Sequence, residues 1–230
     1  MVHPALLHEL VAAGERCPEG GIFGAKILYH AEPARIWYAG AKWHGRWMRF
    51  QHLDDDAQIG TDGRGVAEID YACGCALLAR SAVLRKVGLL DPRFFLTYED
   101  TDLCFRARRA GFACYYVPSA VLWHKISTSF GGAESPLFVY FMTRNLMLWG
   151  ERHLGRRELL RLYGSVWREL KRGLLPQPGS DRTIGLRSRL REPRNRAMAW
   201  GMLHYAMRRF GDAPEHLRRS LARRSPRVDP

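Results

Sequence analysis

The order of apolar patterns constrains this chain most: strand-like runs alternate with short helical repeats over the first 125 residues, and helical repeats alone follow. "GGIFGAKILYH" (20–30) is a Gly-punctuated apolar run of the kind that forms a buried strand. "ARIWYAGAKW" (34–43) reads as a second strand and "EIDYACGCALLAR" (68–80) as a third, strongly apolar one. "ACYYVPSAVLWHK" (113–125) reads as a strand broken by Pro118 and ending on His124. Leu6, Leu7, Leu10 and Val11 predict a helix over 4–14, with Pro4 in its first turn and Gly14 at its stop. Ser81 caps a second short helix that stops at Gly88. Residues 44–67, including "HLDDDAQIGTDGRG", read as a polar loop or flap. From 136 onward come "PLFVYFMTRNLMLWGERHLG" and "RRELLRLYGSVWRELKRGLL", a Pro/Gly/Ser linker (176–185), the helix "NRAMAWGMLHYAMRRFG" and a polar tail, "RRSPRVDP", expected to be disordered. This order predicts an α/β fold with an α-helical appendage.

Three carboxylates, Glu99, Asp100 and Asp102, crowd four positions of "FFLTYEDTDLCFRARRAG" (94–111). Thr97 as N-cap would put all three in the first turn of a helix ending at Gly111. Acids there gain roughly 0.3–1 kcal/mol each from the macrodipole. Arg106, Arg108 and Arg109 complement the other end. Leu103, Ala107 and Ala110 form an apolar stripe, and the spacing puts Asp100 on it. An ionised carboxylate facing the interior or a cleft is costly unless something uses it. Asp102 lies four residues before Arg106 and can pair with it, and Glu99 shares that side. The residues thus single out Asp100 and explain its neighbours by the helix start. His124 is either a satisfied strand-end histidine beside Trp123 or a ligand preceding a small-residue loop, "KISTSFGG", able to approach phosphate. Arg144 and Asn145 form a polar pair inside the apolar "VYFMTRNLMLW", suited either to helix packing or to substrate contact.

Charge separates the two ends. Residues 151–230 carry 20 Lys and Arg against 8 Asp and Glu, whereas residues 1–150 carry 16 against 15. A basic end of this kind implies an anionic partner. Nucleic acid is not expected, because the charge is confined to one end and no recognised binding module accompanies it. A membrane surface suits Arg-rich helices better. The five cysteines contain no CxxC pair, which argues for reduced thiols rather than a disulfide framework or structural zinc. "MVHPALLHELVAAG" lacks the features of a signal peptide, and no apolar run approaches the ~20 residues that span a bilayer. The expected location is cytoplasmic, peripheral to the inner face of the plasma membrane.

The ordered string "YACGCALLARSAVLRKVGLLDPRFFLTYEDTDLCFRARRAGFACYYVPSAVLWHKISTSFGG" resembles the acceptor half of family 2 glycosyltransferases, on the rhamnosyltransferase-like branch. "SPLFVYFMTRNLMLWGERH" is similar to the helix that follows in that family, and "RFG" (209–211) to its C-terminal end. The resemblance implies a partial GT-A fold over 1–135 with a basic helical extension over 136–230. It implies inverting transfer of a sugar, rhamnose by the branch, from a nucleotide-sugar to a polysaccharide or lipid-linked glycan. Asp100 would be the general base, with Glu99 and Asp102 holding the acceptor or shaping the site. Gly74, Cys75 and Ala76 would line the acceptor pocket. His124 would help coordinate a divalent metal, Mg or Mn, at the donor diphosphate.

The nucleotide-binding half and its DxD motif would precede the helix that begins at "VHPALLHEL". Asp54, Asp55 and Asp56 fall in the later flap and out of the family's order. Two accounts follow: a fragment of a longer frame, or a degenerate paralogue that binds glycan or pairs with an intact enzyme. A GT-A sheet without its first strands exposes an edge, which predicts a partner chain or a homo-oligomer.

Overall fold

A computed structural model describes residues 1–53, 65–125, 135–175 and 185–222. These residues are mixed α/β, as the strand–helix order predicts, and form two compact units. The first comprises Met1–Asp91 and Glu99–Ile126; the second comprises Pro92–Tyr98 and Ser127–Pro230. The flap residues 54–64, with Asp54, Asp55 and Asp56, lie outside the described residues, as do most of "KISTSFGG", the 176–184 linker and the 223–230 tail.

The first unit runs α1 (Leu6–Arg16), β1 (Gly20–Tyr29), β2 (Ile36–Tyr38), β3 (Ala41–His44), β4 (Arg49–His52), β5 (Ala67–Glu68), β6 (Leu77–Ala79), α2 (Ser81–Val87), α3 (Glu99–Arg109) and β7 (Ala113–His124). Its centre is the parallel pair β1–β7, in register from Gly20 opposite Ala113 to Tyr29 opposite His124. Six consecutive residues of β1 are buried. Since successive side chains point to opposite faces, the strand is covered on both, which is why it reads as a continuous apolar run. Along its other edge β1 pairs antiparallel with β6 and β2, while β5 pairs antiparallel with β7. Leu10, Ile22, Phe23, Tyr38, Leu103, Ala107 and Tyr116 belong to the core around this sheet.

Several local expectations need correction. The break at Pro118 is found, and it takes the form of a bulge within a strand that runs on to His124. The partner of Ala25 is Val117 and that of Lys26 is Val121, so residues 118–120 bulge out, where a missing N–H costs no ladder bond. The run 34–43 is two strands divided at Gly40, whose φ of 104° suits glycine alone. Residues 44–53 are not simply loop: β4 pairs with β3 as a hairpin. The apolar run 68–80 is not one strand either. Its middle leaves the sheet and crosses β1, where a Cβ on Gly24 would sit 2.7 Å from that of Ala72. Ala72 N–H donates to Cys104 Sγ at 3.3 Å instead of to a neighbouring strand. Helix α1 continues past Gly14 to Arg16, and Arg80 rather than Ser81 holds the N-cap position of α2. The Arg80 guanidinium donates to the carbonyls of Gly14, Cys17 and Gly20, tying the end of α1 to the sheet.

The second unit consists of the segment 92–98 and the helices α4 (Pro136–His153), α5 (Arg156–Leu174), α6 (Leu186–Arg191), α7 (Pro193–Ala206) and α8 (Glu215–Ala222). Helix α4 starts cleanly because Ser135 Oγ accepts from Phe138 N–H at 3.2 Å and Pro136 occupies the first turn. Tyr140, Phe141, Leu170, Ala197, Met198 and Leu217 form its core. No helix among the described residues is long and apolar enough to cross a membrane.

Candidate active site

Thr97 does not cap α3. The helix begins at Glu99, and the residues before it carry left-handed backbone: φ is 64° at Phe95, 65° at Thr97 and 69° at Tyr98. Such values at non-glycine residues cost about 1–3 kcal/mol each and persist only where the surroundings enforce them. The enforcing groups are Arg144 and Asn145. Asn145 Nδ2 donates to the carbonyls of Phe94 at 2.8 Å, Leu96 at 2.6 Å and Thr97 at 2.9 Å. Arg144 donates to Phe94 O at 3.0 Å, to Gly211 O at 2.7 Å and to Asn145 Oδ1 at 2.9 Å. Both side chains are fully buried, and the guanidinium lies 5.0 Å from the Phe141 ring centroid. Through these bonds the pair clamps the 94–97 backbone within the second unit.

The three acids occupy different environments. Asp102, expected on the outer side, is the most buried, with no exposed side-chain surface. Arg106 Nε donates to its Oδ2 at 2.7 Å, and the same guanidinium donates to the carbonyls of Val87 and Leu89. A buried ion pair whose remaining donors are satisfied is costly to break by removing one partner, by about 3–5 kcal/mol. Asp102 is therefore held inside the first unit by its pairing with Arg106. The reason lies in the helix face: Thr101, Asp102, Leu103, Cys104 and Ala107 face inward, so the apolar stripe is rotated from the one the spacing suggested.

Asp100 is half-buried and held on both oxygens. Its Oδ2 accepts Gly74 N–H at 2.7 Å, and Oδ1 accepts the Thr101 N–H at 2.6 Å and hydroxyl at 3.1 Å. Burial pushes its carboxyl above the usual range, while these hydrogen bonds pull it back. Each carboxylate oxygen has two lone pairs, so a fixed orientation and a free acceptor direction coexist. The small residue at 74 admits this carboxylate: a Cβ there would lie 3.3 Å from Asp100 Oδ2. Gly74 and Asp100 are thus brought together, and Gly74 and Cys75 lie on a turn closed by Ala76 N–H to Cys73 O at 3.3 Å. Glu99 differs again. It is half-buried, and its Oε2 has no hydrogen-bond partner among the described residues, so Arg106 does not account for it. Burial, and then the neighbouring Asp100 carboxylate, push it up to about 7. Thr101, Gly74 N–H and the left-handed 95–98 segment escaped sequence reasoning; an aromatic run followed by acids carries no signal of positive φ.

His124 closes β7 opposite Tyr29, half-buried, with its ring centroid 6.0 Å from that of Trp37. Burial, then the nearby N-terminal amine, lower its pKa, so the imidazole is neutral and able to ligate near neutral pH. Yet no group of three or more His, Cys, Asp or Glu side chains that could hold a metal forms among the described residues. The donors among the described residues do not amount to a divalent-metal site.

Residues 41–139 match the family described as glycosyltransferase like family 2. Over that stretch, less than half of its length, the chain is similar to the family 2 glycosyltransferases. It is 35% identical over 88 residues to the N-acetylglucosaminyl-diphospho-decaprenol L-rhamnosyltransferase of Mycobacterium tuberculosis, in two strains, covering 38% of this chain and 28% of that protein. It is 28% identical over 146 residues to the uncharacterized protein y4gI of Sinorhizobium fredii, covering 59% of this chain and 15% of that protein. The chain therefore spans well under a third of the length of the curated relatives it matches.

Proposed function

We propose that this chain supplies the acceptor side of an inverting sugar transfer from a nucleotide-sugar to a lipid-linked glycan or polysaccharide. The observation that carries the reading is the Asp100 carboxylate, fixed by Gly74 and Thr101 at the start of α3. In this mechanism Asp100 takes the proton of the acceptor hydroxyl as its oxygen attacks the anomeric carbon. The bond to the nucleotide diphosphate breaks on the opposite face, giving inversion. A base of this kind must lie within hydrogen-bond reach of the hydroxyl and keep its orientation, which three hydrogen bonds enforce. Glu99, at about 7, exchanges a proton near neutrality and supports the acceptor beside the base. Asp102, held by Arg106, acts at a distance as a positioning group. Rhamnose is the donor sugar favoured by the mycobacterial relative's name, and a polyprenyl-diphosphate-linked sugar the acceptor.

The seat is a membrane surface on the cytoplasmic side. Along α5 one exposed face repeats Arg157, Leu160, Arg161, Trp167, Arg168 and Lys171, cations interleaved with apolar side chains. Such a face binds anionic interfaces through charge and buried apolar area together.

The test is Asp100→Asn in the longest reading frame that contains the chain, assayed with nucleotide-rhamnose and the relative's acceptor. The expected result is loss of transfer with the thermal transition retained. A second reading, a non-catalytic glycan-binding or enzyme-pairing chain, draws on the full engagement of both Asp100 oxygens. It is favoured instead if the variant unfolds at lower temperature while turnover is unchanged.

A further inference from the structure

Cys73, Gly74 and Cys75 lie on the turn closed by Ala76 N–H to Cys73 O. That turn brings its first and third side chains to one side, and the two sulfurs stand 3.5 Å apart, with Cys73 as donor. Cys75 and Gly74 are exposed and Cys73 half-buried, whereas Cys17, Cys104 and Cys114 are buried. The accessible thiols of the described chain are therefore gathered at one place. Between them Gly74 donates its N–H to Asp100 Oδ2 at 2.7 Å. The shared hydrogen bond lowers the Cys75 pKa and raises that of Cys73, which sets an attacking thiol beside a resolving one.

We propose that Cys73 and Cys75 form a thiol–disulfide exchange site for low-molecular-weight disulfides, whose closure resets the Gly74 N–H that orients Asp100. The Cys75 thiolate attacks one sulfur of glutathione disulfide, forming a Cys75–glutathione bond and releasing one glutathione thiolate. Cys73 then loses its proton, attacks the Cys75 sulfur and expels the second glutathione. Two protein thiols are oxidised and one glutathione disulfide is reduced to two glutathiones, so atoms and electrons balance. The sulfurs need to approach from 3.5 Å to the ~2.05 Å of a bond, a displacement within the reach of an exposed turn. Gly74 is the single residue inside the ring that forms, so its N–H cannot keep its direction. The thiol exchange follows from the turn itself and does not rest on the proposed sugar transfer, although Gly74 links the turn to Asp100.

The experiment exposes the full, folded chain to glutathione disulfide, followed by acid quench, alkylation, intact mass and peptide mapping. Alkylatable thiols are expected to fall by two from five, with an internal link between Cys73 and Cys75. Cys73→Ser is expected to stop at a glutathione adduct on Cys75, and dithiothreitol to restore every thiol. In the unsubstituted chain, a lasting adduct on Cys75, a link to any buried cysteine, or no loss of thiols would overturn the proposal. This readout does not depend on how well the variant folds. The coupling to Asp100 is read from the Gly74 amide proton, whose resonance moves upfield on oxidation; an unmoved resonance refutes it.

Discussion

Two polar clusters sit in apolar surroundings in this chain, the acids that open α3 and the Arg144–Asn145 pair inside α4, and their hydrogen bonding divides them. Arg144 and Asn145 donate to the carbonyls of Arg93, Phe94, Leu96, Thr97 and Gly211 and to the Tyr140 hydroxyl, and both are fully buried. Such a satisfied cluster rigidifies a fold. The acids instead grade from closed to open: Asp102 is consumed by Arg106, Asp100 is oriented yet half-exposed, and Glu99 keeps a buried oxygen unpartnered. Satisfaction, not burial or charge, distinguishes architecture from candidate chemistry here.

That contrast can be tested from both sides. The largest effect is expected for Asp100→Asn, about a thousandfold in turnover, the range of a lost general base. Its structural cost should be small, since an amide oxygen still accepts from Gly74. Arg144→Met should do the reverse. It orphans the Gly211 carbonyl and releases the 93–97 backbone, costing about 3 kcal/mol in denaturant unfolding. An unchanged unfolding midpoint would remove the clamp from the account. Glu99→Gln comes next. The folded pKa, about 7, lies above the ordinary 4.5, so between those values the folded chain holds a proton that the unfolded chain has released. Stability therefore falls as pH rises through this window. The amide cannot ionise, so the variant should gain ~2 kcal/mol at pH 8 and nothing at pH 4, measured by thermal unfolding at both pH values. Equal shifts at the two pH values would show that Glu99 is ionised at no such cost. The smallest effect is expected at Arg161, exposed and without a partner among the described residues. Arg161→Gln should weaken binding to anionic vesicles by about fivefold, ~1 kcal/mol, and leave neutral vesicles unaffected. Unaltered sedimentation with anionic vesicles would count against the α5 face as a membrane contact.

The helices α2, α4, α5 and α7 could be read from periodicity and breakers, because an amphipathic repeat reports burial directly along the chain. The two long strands could be read from apolar runs for the same reason. The segment 68–80 could not, because its apolar content reflects crossing over Gly24 rather than lying in the sheet, and one-dimensional hydrophobicity does not tell the two apart. Within the candidate site, the spacing of "EDTD" singled out Asp100 as the acid needing explanation, and Asp102 with Arg106 as an ion pair. It misjudged which of them was inside. A rotation of the helix face by one residue is below the resolution of a three-residue stripe, and the inward stripe carries Thr101 and Cys104 as well as Leu103.

Residue identity alone settled the fold class, the concentration of positive charge at one end and the presence of an acid trio at a helix start. Each is a property of composition and local period. Folding decided what each acid is for. Gly74, twenty-six residues before Asp100, became its hydrogen-bond donor, and Asn145, forty-eight residues beyond Thr97, took that residue's carbonyl. A carboxylate's role depends on which donors reach it and whether water does. Those donors come from distant parts of the chain, assembled only when apolar surface is buried.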